Sequence, residues 1–284
     1  MPKYGLHAYM WIDEWSVEKG NQAIRCTAEA GFDLIEIPLY RPELFDPTAH
    51  KQLLRNTGLE VTGATVLPEW AHMPEHPEEA YQYLVGVLDK LEAVGATRVV
   101  GCIAYAIGRF TGGPPTKAER QVVVDTLGRV AVEAKKRGMR LSLEVLNRYE
   151  TYLYNTLEDA RETILAVGAD NLELHADTYH INIEEEGFYK PLVKCGDVLG
   201  YVHLSESHRG LLGTGNVNWD DTFRGLADAR YKGPLVLEIF AKISPELAAA
   251  TKVWRPLAVN PDELAARSLQ FVRDQVSKHQ GGGL

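Results

Sequence analysis

Short apolar runs recur along the chain near residues 4–9, 33–38, 59–66, 98–104, 139–145, 171–176, 199–204 and 234–240, eight in all. Rich in Val, Ile and Leu and too short for helices of their own, they read as strands buried on both faces. Amphipathic stretches separate them. In Pro74 to Val94 and Pro115 to Arg137, apolar residues recur at spacings of three and four while charges fill the other face, which predicts helices. Glycine punctuates the ends of several such stretches, at Ala30-Gly31, Thr57-Gly58, Val94-Gly95, Arg137-Gly138 and Val167-Gly168, just before the next strand begins. Alternating strands and helices build a parallel sheet clothed in helices, and eight units are the count of a closed (β/α)8 TIM barrel. No linker, charge block or low-complexity run interrupts the pattern, so one domain is expected over residues 1–284. Residues 246–277, two helical stretches around Trp254-Arg255-Pro256, read as a C-terminal helical cap or interface element. Residues 281–284 read as a flexible tail.

Polar residues end several of these runs. In LSLEVLNRYE, LELHADTYH, YVHLSESHR and PLVLEIF, the side chains of Glu144, Asp177, His203 and Glu238 fall at or near the C-terminal ends of strands, where a parallel barrel gathers its chemistry. A single buried carboxylate is as well explained by pairing with Arg or Lys, because a buried charge must be compensated. Four potential ligands in successive units point to a metal ion instead. Three carboxylates and one imidazole form an oxygen-rich donor set, suited to Mn2+, Co2+ or Mg2+ rather than to a thiolate zinc site. Strands five and eight lie three positions apart in an eight-strand ring, so Glu144 and Glu238 can approach a central substrate from different sides. One could remove a proton from carbon while the other returns one to the opposite face, given an electrophile to stabilise the developing enediolate. Glu150, His180 and Arg209 follow the ligands closely and are candidates for substrate contacts, His180 and Arg209 as donors to substrate hydroxyl or carbonyl oxygens. His175, two residues before Asp177, reads as a satisfied interior histidine. Asp13, Glu14, Glu36 and Glu69 receive no role, and Glu184-Glu185-Glu186 reads as a solvated loop or helix start.

Composition narrows the partners. With 284 residues, 30 basic against 39 acidic side chains and a formal charge of -9, the chain lacks the basic surface that nucleic acid requires, and a small neutral substrate fits better. Cys26, Cys102 and Cys195 are widely spaced and show no CxxC, so a disulfide framework is not indicated. No long apolar segment or secretory signal is evident, which makes no membrane partner and a cytoplasmic location the expectation.

GLHAYMWIDEW, AGFDLIEIPL, LEVLNRYE, ADTYHINIEE, YVHLSESHRG with GTGNVNW, the VWR at 253–255 and SLQFVRD span essentially the whole chain. Together they resemble the ketose 3-epimerases (D-tagatose, D-allulose and L-ribulose 3-epimerases) within the xylose isomerase-like barrels. That resemblance implies a metal site of Glu144, Asp177, His203 and Glu238, with Glu144 and Glu238 also the catalytic acid/base pair. It further implies that Glu150, His180 and Arg209 bind O1, O2 and O3 of a ketose, that reaction passes through a cis-enediolate, and that one divalent ion serves each subunit of a homodimer or homotetramer, Mn2+ first and Co2+ or Mg2+ as alternatives. Trp15 and Phe240 fit the family as apolar contacts, each either a piece of an apolar substrate wall or plain core. His7 departs from it, standing where Phe or Tyr is usual and replacing an apolar wall by a hydrogen-bonding one. Leu67 to Met73 and Ala104 to Gly113 also depart, and both are expected above the barrel mouth.

Other activities on this scaffold predict other residues. A hydride-shift aldose–ketose isomerase uses two metals with further carboxylates and a Lys, a barrel endonuclease a His-rich zinc cluster and a basic track, and a silent sugar-binding barrel lacks a ligand or an acid/base group. An aldose–ketose or hydroxypyruvate-type isomerase is the nearest alternative.

Overall fold

The computed structural model describes residues 2–258 and 260–279; the expected tail at 281–284 lies outside them. Eight parallel strands close in chain order: β1 (Tyr4–His7), β2 (Leu34–Pro38), β3 (Glu60–Val66), β4 (Arg98–Cys102), β5 (Arg140–Glu144), β6 (Leu172–Asp177), β7 (Leu199–Leu204) and β8 (Leu235–Leu237). Pairing of Tyr4 with Leu235 and of Leu6 with Leu237 shuts the ring. Outside it run α1 (Val17–Glu29), α2 (Pro47–Thr57), α3 (Pro77–Val94), α4 (Lys117–Lys136), α5 (Leu157–Val167), α6 (Thr178–Glu184), α7 (Tyr189–Lys194), α8 (Trp219–Asp228), α9 (Pro245–Thr251) and α10 (Pro261–His279). No helix of the described residues is long and apolar enough to cross a membrane.

Local chemistry sets the helix ends. Thr116 and Thr156 each begin a helix with a reciprocal capping box, to Glu119 and Asp159. Gly58, Gly95 and Gly168 end α2, α3 and α5 at φ of 72°, 76° and 67°, a conformation that costs a side-chain-bearing residue.

The two-residue period of a strand sorts side chains between two cores. One set, including Leu6, Ile35, Val61, Val99, Leu141, Leu174, Val202 and Leu237, belongs to the large cluster shared with the helices. The alternate set fills the barrel in levels. At the floor, Glu173 binds Arg98 Nε at 2.7 Å, Ser142 Oγ at 2.9 Å and Arg140. Above it Leu34, Ala64, Val100, Tyr201 and Val236 pack together. Two residues further along those strands, at the mouth, stand Glu36, Val66, Cys102, His203 and Glu238, level with Glu144 two residues beyond Ser142 on β5. Leu247 of α9 packs with Phe240 and Val253 beside that mouth, whereas α10 lies against α8, where Phe271 meets Trp219 at 5.4 Å between ring centroids.

Candidate active site

A cavity of about 540 Å³ opens at the C-terminal end of the strands, with Glu144, Glu150, His180, Arg209, Glu238 and Phe240 in its lining. Tyr9, Tyr40, Cys102, Tyr149 and Lys252 line it too, along with Leu67 and Pro68 of one divergent loop and Ile107, Gly108 and Phe110 of the other. His72 ties those loops together by accepting the Ala106 N–H at 3.2 Å.

The four expected ligands converge. Ladder register puts Asp177 beside His203. Ligand atoms of Asp177, His203 and Glu238 lie within 4.8 Å of one another, and Glu144 joins overlapping groups with Asp177 and His180 and with His175 and His203. His203 Nδ1 is buried without a hydrogen-bond partner, 3.8 Å from Glu144 Oε1 and 3.7 Å from Glu238 Oε2. Its other nitrogen, Nε2, sits 2.9 and 3.0 Å from the two oxygens of Glu36, which also accepts the Tyr201 hydroxyl at 2.6 Å. A carboxylate on the far side of an imidazole is the usual device for aiming the near nitrogen at a metal. Glu36 received no role from the sequence; it interrupts an apolar run in LIEIP rather than ending one, though it faces the same side of the sheet as the ligands.

Arg209 is the main internal counter-charge. Its backbone takes the left-handed conformation at φ 63°, rare for a side-chain-bearing residue. The guanidinium bonds Asp177 Oδ2 at 2.8 Å, Ser205 Oγ at 3.0 Å and Glu238, and lies 3.9 Å over the Tyr179 ring. Asp177 Oδ1 caps α6 by accepting the Tyr179 N–H. Asn147 organises the remaining contacts: it gives its N–H to His180 Nδ1 at 3.0 Å and its amide to Glu150 at 2.8 Å. His180 Nδ1 therefore accepts, and Nε2, on the cavity side, faces the Arg209 Nη2 at 3.3 Å.

These surroundings drive the carboxyl groups apart. Burial holds Glu144 well above the usual range, partly offset by His203 and reinforced by Glu238. Burial also pushes Asp177 up to about 7, against the pull of Arg209. Burial opposes ionisation of Glu238 as well, but Arg209 and His203 together outweigh it and hold this group well below the usual range.

Three expectations are corrected by position. His7 is fully buried and outside the cavity lining, because its ring turns behind Tyr9 and Tyr40. Trp15 is also outside the lining, packed between Phe45 and His50 in the outer core. His175 is interior but not satisfied: neither ring nitrogen has a hydrogen-bond partner, Nδ1 standing 3.9 Å from Glu144 Oε2, and the ring stands edge-on to His203 with centroids 4.2 Å apart.

Fold and site together define a barrel enzyme whose carboxylates converge at the mouth. The sequence profile of the xylose isomerase-like TIM barrel family matches residues 24–275, and the chain belongs to that family. An L-ribulose 3-epimerase from Methylomonas sp. (strain DH-1) is 37% identical over 96% of this chain and 97% of its own length. A ketose 3-epimerase from Arthrobacter globiformis is 36% identical over 97% of each. The crystal structure of a Methylomonas sp. D-allulose 3-epimerase in complex with D-allulose superposes with a TM-score of 0.91 at 36% identity, covering 96% of this chain and 97% of that one. Within the family, the chain is a ketose 3-epimerase relative, an enzyme of the isomerase class.

Proposed function

We propose that this enzyme inverts C3 of free ketoses of the D-allulose/D-fructose, D-tagatose/D-sorbose or L-ribulose/L-xylulose type, with one divalent metal ion held by Glu144, Asp177, His203 and Glu238. The observation that carries the reading is the placement of two carboxyl groups, on strands three positions apart, in the wall of one cavity around a common imidazole. The metal fits the residues present. His203 Nδ1 is a buried nitrogen aimed at carboxylate oxygens with no proton acceptor in bonding range, and the donor set is oxygen-rich, which favours Mn2+, with Co2+ or Mg2+ as alternatives. When bound, such an ion supplies electrophilic stabilisation of the negative charge that develops on the sugar's carbonyl oxygen.

Without an ion, burial favours the protonated form of Glu144 while Arg209 and His203 favour the ionised form of Glu238, so the two carboxyl groups differ in proton affinity. Glu238 then removes the C3 proton, leaving its electron pair in the C2–C3 enediolate, and Glu144 returns a proton to the opposite face of C3. In the reverse direction the roles exchange. His180 Nε2 and the Arg209 guanidinium donate to sugar oxygens, and Glu150, fixed by Asn147, accepts from a hydroxyl. A bound cation would take over the compensation that Arg209 now gives Asp177 and Glu238, leaving the guanidinium to the substrate. The active form is taken to be a cytoplasmic homodimer or homotetramer.

The test supplies chelated enzyme with each metal and D-fructose, D-tagatose, D-allulose, D-ribulose or L-ribulose in deuterated water. Deuterium at C3 of the inverted product is expected, with turnover lost in Glu144→Gln and in Glu238→Gln at retained fold. Exchange at C1 without inversion at C3 would assign the chain to an aldose–ketose or hydroxypyruvate-type isomerase instead.

A further inference from the structure

The side of the cavity across from His180 is largely apolar: Val66, Leu67, Pro68, Ile107 and Phe110 offer it no side-chain hydrogen-bond donor. Tyr40 interrupts that surface. It follows β2 by two residues, and β2 lies diametrically opposite β6 in the eight-strand ring, so its phenol faces the cavity from across the barrel relative to Asp177 and His180.

The hydrogen bonds behind Tyr40 set its polarity. His7 Nδ1 accepts the Tyr9 N–H at 3.2 Å, so the ring proton resides on Nε2. That nitrogen is 3.3 Å from the Tyr40 hydroxyl oxygen and 3.8 Å from Glu36 Oε1. Glu36 is already engaged by His203 and by the Tyr201 hydroxyl. His7 therefore donates to Tyr40, whose oxygen accepts and whose own hydrogen meets no acceptor among the described residues. An oriented, unspent O–H is left in the cavity wall.

We propose that Tyr40 is a specificity-determining residue, donating a hydrogen bond to a hydroxyl on the C4–C6 part of the ketose, and that His7 is the positioning residue that turns the phenol toward the sugar. This rests on the epimerase reading and extends it to the recognition of the sugar's far end. It also gives the buried His7 a role: the imidazole reaches the substrate through Tyr40. A phenylalanine at position 7 would pack similarly and leave the phenol free to rotate. Discrimination by a buried donor is steep, because an analogue lacking the matching oxygen leaves the donor unpaired.

The experiment compares metal-loaded wild type, Tyr40→Phe, His7→Phe, His7→Gln and the Tyr40→Phe/His7→Phe double variant on D-allulose and its 4-, 5- and 6-deoxy derivatives. Tyr40→Phe should lower kcat/KM on D-allulose roughly 5- to 100-fold, chiefly through KM, and lose its effect on the one deoxy sugar that lacks the partner hydroxyl. His7→Phe should give a smaller loss on the same sugars and none beyond that of Tyr40→Phe in the double variant. His7→Gln, which keeps an N–H, should recover part of it. Unchanged kinetics in Tyr40→Phe, a loss equal on every deoxy sugar, or multiplying losses in the double variant would overturn the proposal. Should His7→Phe fail to fold, Tyr40→Phe on the deoxy series decides. A wild type that turns over no ketose defeats the epimerase reading; the recognition claim is then read by calorimetry, where D-allulose must bind wild type more tightly than Tyr40→Phe, and equal affinity or no binding overturns it.

Discussion

Glu36→Gln tests the site most directly, because it alters a residue that touches no proposed substrate. Glu36 is fully buried and presents both oxygens to His203 Nε2, at 2.9 and 3.0 Å. If His203 holds a metal through Nδ1, the anion behind it fixes the ring's orientation and raises its basicity, and losing such a partner costs about 10- to 100-fold in metal affinity. That corresponds to about 1.4–2.7 kcal/mol. The fold should tolerate the change. Tyr201 now donates to Glu36, but its hydroxyl is also 2.9 Å from Thr62 Oγ1, so it can turn its hydrogen there and accept from the new amide. The assay is competition between chelated protein and a metal-responsive dye at pH 8, with melting temperatures alongside. Tyr201→Phe, which leaves the Glu36–His203 contact in place, should keep metal affinity within about threefold, since it removes only the outer hydrogen bond. A Glu36→Gln variant that folds and binds metal as tightly as wild type would refute Nδ1 coordination by His203.

Two further outcomes follow from the same geometry. Burial raises the Asp177 carboxyl from 3.8 to about 7, so the native chain holds this proton more tightly than the unfolded one; the associated stability is full below pH 3.8 and lost as pH rises through about 7. The chelated protein should therefore become less stable over that interval, and metal binding should release the Asp177 proton at pH 6 but little of it at pH 8, counted by calorimetry in buffers of different ionisation enthalpy; no release at pH 6 would contradict the assignment of Asp177. At the opposite end of the barrel, a methyl group at Gly200 would fall on the Glu173 carboxylate that joins Arg98, Arg140 and Ser142. Gly200→Ala should cost about 1–3 kcal/mol and lower the melting temperature by several degrees, with active-site metal affinity unchanged; an unchanged melting temperature would show that the floor network is not rigid.

Much of this architecture is written in local pattern. Eight apolar runs became eight strands in the expected order, and their ends moved for identifiable reasons. The first run, expected over 4–9, stops as strand at His7, whose ring accepts the Tyr9 N–H and begins a tight turn. The last, expected over 234–240, is regular only over Leu235–Leu237, although the Glu238 N–H still reaches Leu204 O at 3.2 Å. Helix starts and stops were legible because capping threonines and left-handed glycines act within a few residues of themselves.

The convergence of Glu144, Asp177, His203 and Glu238 was legible for a related reason. A two-residue period selects the face of a strand, and a polar group ending an apolar strand must find compensation at the mouth. Tertiary structure alone decided which inward residues reach the cavity and which support it. Glu36 faces the same side of the sheet as the ligands yet stands behind His203, and His7 stands behind Tyr40. Trp15 was drawn into the outer core by Phe45 and His50, residues some thirty positions away. His175 alternates onto the inner face with Asp177, but its unsatisfied nitrogens follow from what surrounds it. Strand tilt, stagger and loop packing set depth within the barrel, and these depend on neighbours distant in sequence, whereas periodicity depends only on residues close by.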